Sequence, residues 1–263
     1  MTEDPHAPLI AAIRDALGAD ARVDGAWLSG SLGRGEGDAF SDVDVVVAVE
    51  DEDLGACVAE YGGVKSPLGA AVFRQVLYGR IVTAVTPDWR RYDLQFVTGP
   101  ELRRLDFAKL RPLTPGAKPP PGLLPPRAPP ARRPQDLVPM AEEFLRILGL
   151  LPVALGRREW LVAQEGWGLM RKLTIDLMVE ANGRTSDRGG VKRLNAFLTD
   201  GQREALEALA WPGPSRESLI AANQALSGLF IPLGRTLLGE AWPSAFESAT
   251  RDHLREALGI ELP

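Results

Sequence analysis

One cysteine, Cys57, and two histidines, His6 and His253, are all the thiol and imidazole this 263-residue chain carries. Disulfide frameworks, structural zinc sites, Cys-His pairs and Ser-His catalysis are therefore poorly supplied, and chemistry on this chain must lean on carboxylates. Long apolar runs are missing too. No stretch approaches the roughly 20 apolar residues of a membrane span, and the opening Met1-Thr-Glu-Asp-Pro-His is acidic and polar where a secretory signal needs a basic start. A cytoplasmic location with no membrane partner is the expectation. Positive charge is not in surplus either: the net charge is -5. Gripping long nucleic acid draws on excess Lys and Arg, so a nucleic-acid partner is disfavoured and a neutral or cationic small substrate fits better. What is present, 45% hydrophobic and 25% charged residues, suffices for one large domain or two modest ones.

Proline divides the chain. Ten of its 22 prolines fall between Pro112 and Pro134, alongside Gly116 and Gly122, where neither a helix nor a sheet ladder persists. Residues 111–134 read as an extended linker between a domain at 1–110 and another at 135–263. Before the linker, short β-rich runs dominate (Ala26–Ser29, Val43–Val49, Ala71–Leu77, Ile81–Thr86, Tyr92–Val97), with helical patterns at Pro8–Leu17 and Asp51–Tyr61. Behind it lie apolar-periodic segments at Asp136–Leu150, Arg157–Glu180, Val191–Leu198, Gln202–Leu209, Glu217–Leu238 and Ala245–Leu258. An α/β domain with a small mixed sheet, followed by an all-α helical bundle, is the fold class expected.

The segment from Trp27 to Val49 carries the chemistry. A short apolar strand runs into Gly30-Ser31, a turn containing Gly33, Gly35 and Gly37 follows, and Asp42-Val43-Asp44 opens a β-branched strand. Glycines let backbone N–H groups approach an anion closely, so Gly30 and Ser31 suit a triphosphate tail. Alternation along a strand sends Asp42 and Asp44 to one side, as a pair of hard oxygen ligands suited to Mg²⁺. Asp93 lies in a second β-type segment, where Asp93, Gln95 and Val97 share one face while Leu94 and Phe96 share the other. Its carboxylate would point away from the packed side and complete a three-carboxylate site. The alternative is a salt bridge to Arg90, Arg91 or Arg74.

At Gly30, Ser31, Asp42 and Asp44 the chain resembles the polymerase-β-like nucleotidyltransferase superfamily, whose signature is Gly-Gly or Gly-Ser followed after about 9 to 13 residues by Asp-x-Asp. Its two-part architecture looks like that of the antibiotic nucleotidyltransferases, which adenylylate aminoglycosides or lincosamides. The stretch Arg91-Tyr92-Asp93-Leu94-Gln95-Phe96 is similar to the Arg-Glu-Leu-Gln-Phe stretch of the streptomycin and spectinomycin adenylyltransferases. The resemblance implies a transferase that moves AMP from ATP to a hydroxyl of a small acceptor and releases pyrophosphate. Two Mg²⁺ ions would be held by Asp42, Asp44 and Asp93, with Asp93 as the catalytic base. Gly30, Ser31, Arg34, Ser41 and Lys192 are the nucleotide-binding candidates, Lys192 and Arg193 following Gly189-Gly190 at a helix start.

The helical half offers weaker signals. Leu161, Gln164, Glu165, Gly168 and Lys172 form a partly polar stripe at helical spacing, in which Glu165 would meet a cationic substrate and Gly168 would leave room. Glu165 and Glu159 are the substrate-binding candidates; a solvated helix face is the alternative. Trp160, Trp167 and Trp89 could stack on a base, but aromatics in apolar periodic segments are expected to be core. A nucleotidyltransferase with a protein or RNA acceptor, a nucleotide-binding regulatory protein without turnover, and a helical interaction protein are the other functions compatible with this sequence.

Overall fold

A computed structural model describes residues 5–125, 133–183 and 194–263. The chain forms two compact units, Met1–Arg127 and Ala128–Pro263: an α/β unit with a mixed six-stranded sheet and a helical unit.

The first unit opens with α1 (Ala7–Ala19), which has Pro8 in its first turn and Leu9, Ile13 and Leu17 buried at helical spacing. Then come β1 (Val23–Leu28), the single turn α2 (Gly30–Gly33), β2 (Val43–Val49), α3 (Asp51–Gly62), β3 (Phe73–Leu77), β4 (Ile81–Val85), β5 (Arg91–Val97), the short α4 (Gly99–Leu102) and β6 (Arg111–Pro112). The strand order is β3-β4-β5-β2-β1-β6. β2 and β5 pair in parallel, and the other neighbours are antiparallel. β2 reads Val-Asp-Val-Val-Val-Ala-Val because it is a central strand covered on both faces. Val43, Val45, Val47 and Val49 join Leu94, Phe96 and the apolar sides of α1 and α3 in one core. Val46 and Ala48 face the opposite side, packed with Trp27, Val97, Leu102 and Ala117. Each such valine contributes about 1.5–3 kcal/mol of burial.

Residues 111–117 belong to this unit. β6 pairs with the outer side of β1, Thr114 Oγ1 accepts the Ala26 N–H at 2.9 Å, and Ala117 is buried. The proline density that suggests a linker from residue 111 marks an edge strand first, and an edge position tolerates the absence of an N–H donor at Pro112.

The second unit contains α5 (Pro134–Gly149), α6 (Leu151–Gly156), α7 (Trp160–Ala181), α8 (Leu194–Phe197), α9 (Asp200–Glu207), α10 (Arg216–Leu238) and α11 (Ser244–Leu258). Five of these share the main core, α5, α6, α7, α10 and α11, where the rings of Phe144 and Phe230 stack at 3.8 Å and Trp242 lies beside them. A smaller cluster joins Ile175, Met178 and Val179 of α7 to Phe197 and Leu206. Trp167 is core and Trp160 packs on it, as expected; Trp89 is not, being 77% exposed at positive φ in the turn between β4 and β5. Among the described residues no helix is long and apolar enough to cross a membrane.

Glu247 ties the end of this unit together. Almost fully buried, it accepts hydrogen bonds from Arg235 Nη2 at 2.6 Å, Arg251 Nε at 2.6 Å and Trp242 Nε1 at 2.9 Å. Burial pushes its carboxyl up, yet the bonds from Arg235, Arg251 and Trp242 outweigh it and hold the group below its ordinary range. A depressed folded-state value contributes stability above the unfolded titration near pH 4.3, and that stability is lost as pH falls through the folded value. Glu247→Gln is expected to cost about 2–3 kcal/mol at neutral pH and to make stability less sensitive to pH below about 4.3. Urea denaturation across that range checks both, and an unaltered acid limb would contradict the assignment.

Candidate active site

The sheet register creates the site. In the parallel ladder Asp44 lies directly opposite Asp93, and on the other side of β5 Thr83 lies opposite Asp93. β1 ends beside them, where the Ser29 N–H donates to the Asp44 carbonyl at 2.8 Å. Neighbouring strands run about 4.8 Å apart, so Ser29, Asp44, Asp93 and Thr83 form one row across the face opposite α1 and α3. Val43, Val45, Tyr92 and Leu94, the chain neighbours of the two aspartates, are buried on the other face. Both carboxylates are thereby directed away from that core, and each is only partly exposed.

Glycine allows the turn to close over Asp44. Gly30 has φ +57°, and a Cβ there would stand 2.8 Å from Asp44 Cγ and closer still to Oδ2. Gly33 donates to the Ser29 carbonyl at 2.7 Å and Arg34 to that of Gly30 at 3.4 Å. The N–H groups of Gly30, Ser31 and Leu32 precede that of Gly33, the first in α2 with an intrahelical acceptor. Ser31 and Ser41, ten residues apart, are joined: Ser31 Oγ donates to Ser41 Oγ at 3.1 Å, and Ser41 Oγ accepts the Asp38 N–H at 3.0 Å. Two further bonds hold the intervening loop, His6 Nε2 to the Asp38 carbonyl at 2.7 Å and Arg91 Nη2 to the Phe40 carbonyl at 2.8 Å. Phe40 itself is 86% exposed at the loop's edge.

The arginines named as alternative partners of Asp93 are engaged elsewhere. Arg90 pairs with Asp88 at 2.8 Å, Arg91 binds Phe40, and Arg74 binds the carbonyls of Gly63 and Gly69. Arg34, expected at the nucleotide, forms an ion pair with Glu36 at 2.8 Å. Lys192 and Arg193 lie outside the described residues. Asp42 precedes β2 by one residue and is partly exposed. Among the described residues no group of three or more His, Cys, Asp or Glu converges on a metal position; the register sets Asp44 and Asp93 side by side. Two suffice chemically for a hard cation, since Mg²⁺ is commonly held by one or two carboxylates together with substrate phosphates and water. The sequence shows the polarity of Thr83 and Ser29 but does not single them out, because their place in the row depends on strand pairing.

In the helical unit, Glu159 and Glu165 line a common cavity of about 400 Å³. The stripe to which Glu165 was assigned is otherwise occupied. Gln164 Nε2 donates to the Pro212 carbonyl at 2.7 Å, Lys172 pairs with Asp176 at 2.6 Å, and the space over Gly168 is filled by Trp211, 3.2 Å from where its Cβ would be. The segment between α9 and α10 packs on that side of α7, so Gly168 leaves no room for a ligand.

Gly30→Ala tests the closure over Asp44. Strain in the left-handed region together with displacement of the carboxylate is expected to cost about 1–3 kcal/mol. Chemical denaturation and comparison of the Asp44 carboxyl NMR signal with the wild type check this. An undisturbed signal at full stability would show that the approach is not tight.

No protein-family model matches the chain, and no curated protein matches it. The chain is similar to a solved structure described as an aminoglycoside 6-adenyltransferase from Bacillus subtilis, with 14% identity over 96% of this chain and 98% of that chain and a TM-score of 0.44.

Proposed function

We propose that the α/β unit transfers a nucleoside monophosphate, with ATP as the first donor to try, to a hydroxyl of a small acceptor. The observation that carries the reading is the pairing of Asp44 with Asp93 beside a glycine turn whose leading N–H groups have no helical acceptor. Gly30 and Ser31 bind phosphate oxygens through those N–H groups, and Ser41, bonded to Ser31, steadies the turn. Asp44 and Asp93, with Asp42 at the strand entrance, are the residues that would hold Mg²⁺. When bound, that cation supplies charge neutralisation at the phosphates. Asp93 orients the acceptor hydroxyl and takes its proton. The freed oxygen forms a bond to the α-phosphorus as the bond from that phosphorus to pyrophosphate breaks, and pyrophosphate leaves. Partly exposed and with no side-chain hydrogen bond to another described residue, Asp93 is available for that proton.

We assign acceptor recognition to Glu159 and Glu165 in the helical unit, as carboxylates suited to a cationic group. Aminoglycosides and lincosamides are the first acceptors to screen, using α-labelled ATP. Should nucleotide bind tightly while no hydroxyl acceptor is modified, a binding protein without turnover would be the better description.

Two variants separate the roles. Asp93→Asn is expected to retain most Mg²⁺-ATP affinity and to slow the single-turnover step by about 10²–10⁴-fold, because an amide can hydrogen-bond the hydroxyl but cannot take its proton. Asp44→Asn is expected to lower affinity and rate together. Calorimetry and rapid-quench measurements on folded variants decide it, and an unchanged single-turnover rate in Asp93→Asn removes that residue from the mechanism.

A further inference from the structure

The cavity in the helical unit has a chemistry of its own. Its walls come from α5, α6 and α7, with the buried Asn223 of α10 also lining it. Leu150, Val153, Val162 and Leu169 present apolar surface there that is 42 to 59% exposed, an arrangement folding alone does not favour. The polar donors among the buried lining are already used: Trp167 Nε1 donates to the Ala222 carbonyl at 3.0 Å and Asn223 Nδ2 to the Leu219 carbonyl at 2.7 Å. The interior therefore offers an apolar surface with few free donors.

Charge is arranged differently. Arg146 is clamped by both oxygens of Glu143, each at 2.7 Å, and is neutralised there. Glu159, Glu165 and Arg157 make no side-chain hydrogen bond or ion pair with other described residues. With Arg146 paired to Glu143, which lies outside the lining, two carboxylates against one guanidinium remain to meet a ligand. A volume of about 400 Å³ is that of a small-molecule pocket and too little for a docked helix.

We infer that this cavity binds a small molecule with a compact apolar body and one protonated amine, the body against the valines and leucines and the amine at Glu159 and Glu165. That this molecule also carries a hydroxyl and is the acceptor of the proposed transfer rests on that reading; the binding itself does not.

Three probes with one body separate the contributions: 1-adamantylamine, 1-adamantanol and adamantane-1-carboxylate, titrated into the full chain without nucleotide by calorimetry and ligand-observed NMR. The amine is expected to bind about fivefold more tightly than the alcohol, the scale of an exposed charge pair, with the carboxylate weakest. Glu165→Gln or Glu159→Gln, at exposed positions, should shrink the amine's advantage while leaving the alcohol unchanged. Ala163→Phe, which fills the cavity, should abolish binding of all three. Equal affinities for the three probes, no saturable binding of the amine, or undiminished binding in a folded Ala163→Phe protein would overturn the assignment. If that variant does not fold, the glutamine variants decide alone: an unaltered preference for the amine in both overturns it. Because no nucleotide is present, failure here removes the acceptor assignment to Glu159 and Glu165 but leaves the chemistry proposed at Asp44 and Asp93 intact, and absence of transfer activity leaves this site intact.

Discussion

From Val43↔Tyr92 to Ala48↔Val97, β2 and β5 run side by side in parallel, and every other feature of the α/β unit is arranged around that ladder. A slip of one residue would turn Val45, Val47, Leu94 and Phe96 out of the core beneath α1 and α3 and drive Asp44 and Asp93 into it. Burying a carboxylate without partners costs far more than the ladder could recover. The hydrophobic effect thus enforces the meeting of two acidic residues that would otherwise repel. That is a physical route from an apolar sequence pattern to a polar site: the valines hold the register, and the register places the carboxylates.

The turn after β1 adds a steric condition. Only a residue without Cβ can stand where Gly30 does, because the Asp44 carboxylate occupies the space a side chain would need. The loop beyond it is pinned from several directions, by Ser41 on Ser31, by His6 on the Asp38 carbonyl and by Arg91 on the Phe40 carbonyl. Arg91 belongs to the same strand as Asp93, so the strand that bears one carboxylate also braces the loop leading to the other. Arg91, close to Asp93 in sequence, is thereby engaged by the Phe40 carbonyl and leaves Asp93 available.

Different faces of one helix in the helical unit serve its core, a neighbouring segment and a cavity. On α7, Trp167 and Met170 enter the core, Gln164 and Gly168 meet the segment between α9 and α10, and Glu165 turns to a cavity with Glu159. Polar groups in the interior satisfy one another, as Glu247 does with Arg235, Arg251 and Trp242. Of the cavity's charged side chains, Arg146 is paired with Glu143, while Glu159, Glu165 and Arg157 make no side-chain hydrogen bond or ion pair with other described residues.

The sequence by itself determined the two-part architecture, the strands around the Gly-Ser turn and Asp42-Val43-Asp44, and the face on which Asp93 would lie. Each of these follows from local rules: period-2 or helical alternation, the conformational freedom of glycine, and the incompatibility of clustered prolines with regular structure. It misjudged where packing between distant segments decides. Pro112 sits in an edge strand because β1 offers a free side, Trp89 is exposed because its turn projects from the sheet, and Gly168 lies beneath Trp211. Tertiary structure alone decided that Asp44 and Asp93 are neighbours, that Thr83 and Ser29 stand in their row, and that Glu159 and Glu165 share a cavity. The reason is that such contacts depend on strand order, register and helix packing, which arise from burial summed over the whole unit and leave no mark in any short stretch of chain.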